Sequence, residues 1–171
     1  MVTRSVSEVA LAIEELDPKR HDRAGFDCGV EPLNRYLRSL AAQHRAKGMA
    51  TTFVLVDSSA AATILGYYSL SAASLAFERL ADADRRGLPD YPVPAVRIGR
   101  LASSKAHRGQ RLGELLLQNA VKRTLAVRQT LGVRVVLVEA KDPTAEAFYR
   151  RYGFRLCDEH SRQLYLPLGA A

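Results

Sequence analysis

One run of apolar residues, 133–138, restricts the fold of this chain more than any other feature. The run is nearly unbroken, which predicts a strand that is buried on both faces. An apolar stripe between residues 109 and 131 predicts a long helix before this strand, and Pro143 and Gly153 bracket a shorter helix after it. The order of these elements predicts a mixed α/β (α+β) fold with one central sheet.

The first part of the chain contributes mainly strands. Alternating apolar residues at 9–13 predict a short strand. A helical periodicity over residues 33–44 predicts one helix, with Pro32 near its first turn and Gly48 just past its end. The other predicted elements are strands at 51–56, 63–71, 96–102, 154–157 and 163–166, and an irregular connection at 77–94 with one helical turn near Glu78.

Length and charge limit the number of domains and the class of partner. The 171 residues fit a single domain, 1–171, because two domains would each have a thin core. The formal net charge is +7, and residues 97–138 hold nine lysines or arginines against a single acid, Glu114. This concentration of positive charge favours a polyanionic partner. A basic surface that contacts only solvent is the alternative explanation.

The cysteines and the apolar segments indicate the cellular compartment of the protein. The chain has two cysteines, Cys28 and Cys157, whose spacing suggests neither a metal site nor a disulfide framework. Charged residues interrupt the apolar positions near the N-terminus, and no apolar run is long enough to span a bilayer. These features predict a cytoplasmic protein without a metal and without a membrane partner.

The segment that follows the strand at 96–102 has the parts of an anion site. A loop leads from this strand into the long helix, and the first N–H groups of a helix lack intrahelical acceptors and lie at the positive end of its dipole. Gly109 allows close approach of the backbone, and Arg108 and Arg111 can add charge-assisted bonds. A diphosphate suits this site, and a plain loop with a glycine turn is the alternative.

Two motifs together identify a family. Residues 108–113 resemble the coenzyme-binding motif of the GNAT acetyltransferase superfamily, with Arg111 where the motif usually has its middle glycine. Residues 145–154 resemble the family's late helix and its Phe-Tyr-x-x-x-Gly-Phe signature. The resemblance implies a GNAT fold, whose mostly antiparallel sheet of about six or seven strands is split between strands 4 and 5. It also implies acetyl-coenzyme A (acetyl-CoA) as the acetyl donor.

The same resemblance implies roles for individual residues. Tyr149 is expected to point at the coenzyme sulfur, where its hydroxyl acts as a general acid or stabilises the departing thiolate, and a structural tyrosine is the alternative. For the neighbouring Phe148 and Phe154, packing alone is the preferred explanation. The implied cofactor-binding residues are Leu101, Ala102, Ser103, Arg108, Gly109, Gln110, Arg111, Leu112, Gly113 and Phe148.

Further segments resemble the toxin branch of this superfamily. They are Phe-Asp-Cys-Gly at 26–29, Leu-Asn-Arg-Tyr-Leu at 33–37, Gly-Tyr-Tyr-Ser-Leu-Ser at 66–71, Tyr-Pro-Val-Pro at 91–94 and Leu-Tyr-Leu-Pro at 164–167. This resemblance implies acetylation of the α-amino group of aminoacyl-tRNA, a ribbon-helix-helix antitoxin and a homodimer. The candidate tRNA contacts are Arg35, Arg38, Arg85, Arg86, Arg97, Lys105, Arg150 and Arg151. The alternatives are acetylation of a small-molecule or protein amine, and a non-catalytic acetyl-CoA-binding module.

Overall fold

A computed structural model describes residues 10–169 of the chain. In this range the strands are β1 (Leu11–Glu15), β2 (Thr51–Asp57), β3 (Ala60–Leu75), β4 (Val93–Ser103), β5 (Val135–Glu139), β6 (Arg155–Leu156) and β7 (Gln163–Pro167). The helices are α1 (Glu31–Arg35), α2 (Ala41–Ala46), α3 (Asp82–Arg85), α4 (Leu112–Val127) and α5 (Pro143–Arg151). A π-helical turn, Tyr36–Leu40, joins α1 to α2, and 3₁₀ turns lie at Phe77–Arg79 and Lys105–His107. No helix among these described residues is both long and apolar enough to cross a membrane.

The strands form one seven-stranded sheet in the order β1-β2-β3-β4-β5-β7-β6. Strands β4 and β5 run parallel, whereas β1 with β2, β5 with β7, and β6 with β7 run antiparallel. The predicted mixed fold with one central sheet is therefore confirmed. The parallel register extends from Ala95 opposite Val135 to Ile98 opposite Val138, and β4 continues beyond it to Ser103. The split that the family resemblance implies falls between these two strands.

Contacts divide the chain into two compact units. In the described part, the first unit holds residues 10–68 and 101–116, and the second holds residues 69–100 and 117–169. The prediction of one domain over 1–171 stays a prediction. The core of the first unit includes Phe26, Tyr36, Leu37, Val54 and Tyr67. The core of the second includes Leu75, Leu80, Val135, Leu137 and Tyr165.

In the second unit, a buried tyrosine fixes the short helix α3. Residues 135–138 are all buried, as the apolar run predicts, and Tyr165 of the neighbouring strand is fully buried too. The Tyr165 hydroxyl donates to Asp84 Oδ2 at 2.6 Å and accepts from the Ala81 N–H at 2.8 Å. Arg155 adds a 2.7 Å ion pair to the same carboxylate. Burial raises the pKa of Tyr165 to about 12, so the hydroxyl keeps its proton and remains a donor.

In the first unit, the helix predicted at 33–44 is helical throughout but not α-helical throughout. The π-helical turn lies in its middle, where Tyr36 and Leu37 are buried. The Tyr36 hydroxyl lies 3.1 Å from Nδ1 of His44, which follows in α2. A π-helical turn adds a residue to one turn of helix, which periodicity alone does not reveal.

The start of α4 differs from the prediction of a helix from residue 109. Gly109 and Arg111 have φ angles of 85° and 56°, both in the left-handed region. A right-handed helix cannot include such residues, so α4 begins at Leu112. The predicted end at residue 131 is also too late, because the regular helix ends at Val127 and turns follow.

Other boundaries shift by a few residues. Strand β4 begins at Val93 rather than at residue 96 and includes Pro94, whose carbonyl accepts from the Arg134 N–H at 2.8 Å. Strand β6 covers only Arg155–Leu156. Val9, which belongs to the predicted first strand, lies outside the described residues.

Helix α5 begins and ends as predicted. Asp142 caps it, because its Oδ1 accepts from the Ala145 N–H at 2.8 Å. Pro143 is its first residue. Gly153 follows its end with a φ of 92°, which confirms the predicted left-handed terminator.

Close packing in the first unit depends on a glycine within β3. A Cβ on Gly66 would lie 2.8 Å from Leu116 Cδ1 and 3.0 Å from the Ala102 carbonyl oxygen. Both distances are shorter than ordinary van der Waals contacts. Gly66 therefore lets β3 lie close against the end of β4 and the first turns of α4.

We expect Gly66→Ala to lower the free energy of unfolding by about 1–3 kcal/mol, because the added methyl group overpacks this contact. Urea unfolding measures the change. Gly132→Ala is the matched control, since a Cβ there meets nothing within 4 Å. Equal stability of the two variants would contradict the packing role of Gly66.

Candidate active site

The end of β4 and the loop after it lie in the first unit. Ala102 is buried, and the next buried residue, Ser104, donates its N–H to the Leu65 carbonyl of β3 at 2.8 Å. The His107 N–H bonds the Ser104 carbonyl at 3.1 Å and closes the 3₁₀ turn. The loop is therefore fixed to the sheet immediately before Arg108.

The backbone N–H groups of residues 109–113 are available to a ligand. Within the described residues, none of them donates a hydrogen bond to a protein acceptor. Helix α4 follows with 16 residues, long enough for its dipole to place positive charge at this end. Uncommitted N–H donors at a helix N-terminus fit the oxygens of a diphosphate. The structure thus has the donors that the predicted anion site requires.

Arg111 has a strained backbone in this loop. In the described range it is the only residue other than glycine with a positive φ. A left-handed L-residue costs roughly 1–2 kcal/mol, which explains why the family motif usually has glycine here. The guanidinium is 85% exposed and lies 4.0 Å from Glu114, so it adds positive charge at the mouth of the loop.

Arg108 is the second cation of the loop. Its side chain is exposed, and no acidic residue of the described chain pairs with it. Its Nη2 lies 3.0 Å from the position that a Cβ on Gly29 would occupy, so the loop at 27–29 runs beside it. An arginine without an acidic partner can form charge-assisted bonds to phosphate oxygens.

Tyr149 lies on α5, in the second unit. The residue is 7% exposed, and its ring packs at 5.3 Å from Phe148 and 5.4 Å from Phe154. Its hydroxyl makes no hydrogen bond with any described residue. Burial raises the pKa of Tyr149 to about 12. The hydroxyl is therefore neutral, and it is a donor without an acceptor among residues 10–169.

Phe148 belongs to the same aromatic cluster. Its ring also lies 5.2 Å from that of Tyr152, in an edge-on arrangement. These contacts support the packing explanation for Phe148 and leave its cofactor contact a prediction. Phe154 is buried and follows Gly153, as expected for a residue that packs.

The structure places the predicted cofactor residues in two groups. The residues of the strand end and the loop, 101–103 and 108–113, lie together in the first unit, and Phe148 and Tyr149 lie in the second. Among the described residues, the N–H groups of 109–113 in the first group and the Tyr149 hydroxyl in the second have no protein hydrogen-bond partner. The assignment of both groups to one site stays a prediction.

The eight predicted tRNA contacts also fall into two groups. Four have an acidic partner: Arg38 with Glu31 at 3.0 Å, Arg85 with Asp82 at 3.1 Å, Lys105 with Asp27 at 2.9 Å and Arg150 with Glu146 at 3.5 Å. Four are exposed, with no acidic partner among the described residues: Arg35, Arg86, Arg97 and Arg151. The second group is the more available to phosphates.

Sequence reasoning missed a polar cluster next to the loop. Asn34 is buried and bonds both the Cys28 N–H and the Asp27 carboxylate at 2.9 Å. Asp27 Oδ1 also accepts from the Gly29 N–H at 2.8 Å. An aspartate two residues before a glycine is the sequence signal of such a turn, and it stands in the chain at 27–29.

The side chains of two histidines, His21 and His44, have structural partners. His21 Nδ1 accepts from the Asp17 N–H at 2.9 Å, and its Nε2 lies 2.6 Å from Glu14. Nδ1 therefore carries no proton in this arrangement, and Nε2 donates to the carboxylate. His44 bonds Tyr36.

A family of known proteins matches most of the chain. The sequence model described as "Acetyltransferase (GNAT) domain" matches residues 50–156. This range includes both the loop at 108–113 and Tyr149.

Two toxins from other bacteria match this chain over most of their length. The chain is 32% identical over 135 residues to a "tRNA-acetylating toxin" of Mycobacterium tuberculosis, and the match covers 79% of each chain. It is 27% identical over 164 residues to a "Probable toxin TacT" of Sinorhizobium fredii, which covers 91% of this chain and 90% of the relative.

Solved structures of the same kind superpose closely. A tyrosine-to-phenylalanine mutant of KacT has a TM-score of 0.86 and 32% identity, and the match covers 92% of this chain and 94% of that one. AtaT complexed with acetyl-methionyl-tRNAfMet has a TM-score of 0.86 and 27% identity, with 92% and 95% covered. A tyrosine-to-phenylalanine mutant of AtaT bound to the C-terminus of the antitoxin AtaR and acetyl-CoA has a TM-score of 0.77 and 27% identity, with 92% of each chain covered.

We expect Arg111→Gly to be more stable than Arg111→Ala by roughly 1 kcal/mol. Both variants remove the guanidinium, but only glycine removes the left-handed strain, and the greater freedom of glycine in the unfolded chain offsets part of that gain. Urea unfolding of the two proteins measures the difference. A glycine variant less stable than the alanine variant would contradict the strain at this position.

Proposed function

The chain belongs to the GNAT acetyltransferase family, and on that premise we propose that it transfers an acetyl group from acetyl-CoA to the α-amino group of aminoacyl-tRNA. One observation carries the coenzyme site: the uncommitted N–H groups of residues 109–113 in front of α4. The acceptor is supported by the tRNA-acetylating toxin of M. tuberculosis and by AtaT, whose structure contains acetyl-methionyl-tRNAfMet. Transfer to the amino group would block the tRNA from further use in translation.

The residues of the first unit bind and orient the donor. The N–H groups of 109–113 and the cations of Arg108 and Arg111 hold the diphosphate. The backbone of residues 101–103, at the end of β4, offers hydrogen bonds to the extended arm of the coenzyme as an additional strand would. These residues place the thioester; when bound, acetyl-CoA supplies an acyl carbon that an amine can attack.

Tyr149 assists departure of the thiolate. As the new C–N bond forms and the C–S bond breaks, negative charge develops on sulfur, and a neutral phenol can donate a hydrogen bond to it. A phenol pKa of about 12 against about 8.5 for a thiol makes complete proton transfer uphill by roughly 5 kcal/mol. Tyr149 therefore acts mainly as a hydrogen-bond donor to the developing thiolate.

The amine needs no dedicated base from this chain. An α-amino group has a pKa of roughly 7.7–8.0, so a useful fraction is neutral near pH 7. The proton that the amine loses on acylation can pass to solvent. This agrees with the structural partners of His21 and His44, which leave neither of them as an evident base.

The basic residues without acidic partners hold the tRNA. Phosphates are contacted by Arg35, Arg86, Arg97 and Arg151, which gives affinity that does not depend on base sequence and that falls with salt.

We further propose that a ribbon-helix-helix antitoxin inhibits the protein, that the chain acts as a homodimer with one domain per chain, and that it acts in the cytoplasm. The AtaR complex supports the antitoxin, and light scattering tests the dimer.

We expect Tyr149→Phe to lower turnover by about 10²–10³-fold, because it removes one donor to the leaving group. Binding of acetyl-CoA, measured by titration calorimetry, is expected to stay within about twofold of wild type, since the ring still packs in its cluster. Tyr152→Phe is the matched control and should keep full activity. Equal turnover of the Tyr149 and Tyr152 variants would contradict the role of Tyr149.

The acceptor is tested with radiolabelled acetyl-CoA and total charged tRNA. Label should follow the aminoacyl ester and be absent from deacylated tRNA. If only protein or small amines were labelled, the proposal of tRNA as the acceptor would be contradicted, whereas the proposal of acetyltransferase activity would stand.

We expect Arg86→Gln to raise the KM for charged tRNA and to reduce the salt slope of binding by roughly 0.7–0.9, the effect of one lost phosphate contact. Arg85→Gln is the neighbouring control, because Arg85 is held by Asp82 and by a 2.8 Å bond to the Leu80 carbonyl. A smaller salt-slope change for Arg86→Gln than for Arg85→Gln would contradict the assignment.

A further inference from the structure

The loop at 27–29 is tied to the segment that leads into the phosphate loop. Asp27 Oδ2 accepts from Lys105 Nζ at 2.9 Å, and the Asp27 carbonyl accepts from the Lys105 N–H, also at 2.9 Å. Asp27 therefore binds Lys105 through both its side chain and its backbone. Lys105 begins the 3₁₀ turn that ends just before Arg108.

The same loop also reaches the far end of that turn. Gly29 lies against Arg108, whose Nη2 would be 3.0 Å from a Cβ on Gly29. The Gly29 N–H bonds Asp27 Oδ1 at 2.8 Å, so the carboxylate sets the position of Gly29. Asp27 thus holds the first residue of the segment 105–108 directly, and it also holds Gly29, which lies beside the Arg108 guanidinium at the end of that segment.

Asn34 makes this arrangement possible from α1. Its Nδ2 donates to Asp27 Oδ1, and its Oδ1 accepts from the Cys28 N–H, each at 2.9 Å. An amide can donate and accept in this way, whereas an ionised aspartate at 34 would place a second carboxylate against Asp27. Asn34 is therefore the partner that suits an ionised Asp27.

Asp27 is ionised, and its charge alone would oppose an anionic ligand. Hydrogen bonds from Lys105, then Asn34 and Gly29, hold the pKa of Asp27 well below its usual range. If the residue acted only through its charge, removing it would strengthen binding of a diphosphate nearby. If it acts by holding the loop, removing it would weaken binding. The two roles predict opposite signs.

We propose that Asp27 is a positioning residue for the coenzyme phosphate loop, acting through Lys105 and Gly29 and supported by Asn34. This inference rests on the proposed acetyl-CoA site. It also gives Lys105 a different role from the tRNA contact that the sequence predicts, because its ammonium group is committed to Asp27.

The experiment compares wild type, Asp27→Ala, Lys105→Met and the double variant in steady-state kinetics with acetyl-CoA and charged tRNA. We expect Asp27→Ala to raise the KM for acetyl-CoA about tenfold, while kcat and the KM for charged tRNA stay within about twofold. Lys105→Met should raise the same KM by a smaller factor. The double variant should have the same KM for acetyl-CoA as Asp27→Ala, because both substitutions remove the same ion pair between Asp27 and Lys105.

Unchanged or tighter acetyl-CoA binding by folded Asp27→Ala would overturn the proposal, as would an increase confined to the KM for tRNA. If Asp27→Ala does not fold, Lys105→Met decides: a rise in the KM for acetyl-CoA supports the role, and a rise for tRNA alone refutes it. Titration calorimetry of the wild-type protein with acetyl-CoA distinguishes a failure of the proposed function from a failure of the proposed role of Asp27. Absence of binding there defeats the proposed function itself, whereas normal binding leaves the variants to test Asp27.

Discussion

The rest of the candidate site depends on the backbone conformation of one loop. Left-handed φ angles at Gly109 and Arg111 delay the start of α4 until Leu112, and the N–H groups of 109–113 form no hydrogen bonds within the described part of the chain. A helix that began at residue 109 would commit more of these donors to its own first turns. The arginine at 111 adds charge at the cost of backbone strain, and the strain is tolerated because the surrounding contacts hold the loop in place.

Those surrounding contacts come from several elements of the first unit. Gly66 of β3 packs against Ala102 and Leu116, Leu65 binds the Ser104 N–H, and Asp27 holds Lys105. The loop is thus fixed from the sheet on one side and from the segment before α1 on the other. A binding loop supported in this way loses little conformational entropy when its ligand arrives, and more of the interaction energy remains for binding.

The sequence predicted those features that depend on local residue order. The buried run at 135–138, the start of α5 at Pro143 and the terminator Gly153 are each determined by a few adjacent residues, and all were found. The loop motif was identified, but the delayed helix start was not, because an arginine rarely adopts a left-handed conformation. The π-helical turn at Tyr36–Leu40 and the link from Asp27 to Lys105 were missed as well, since no periodicity reports them and the link joins residues far apart in sequence.

Two properties of Tyr149 favour its proposed role. Its hydroxyl has no protein acceptor among the described residues, and burial raises the pKa of the phenol to about 12. Because the folded pKa lies above the unfolded value of about 10, the neutral phenol contributes stability below pH 10 that is lost as the pH rises through 12. Over the range in which an α-amino group loses its proton, roughly pH 7–9, the phenol therefore remains a donor. The two groups titrate in separate ranges, so the amine can become nucleophilic while the leaving group keeps its hydrogen-bond donor.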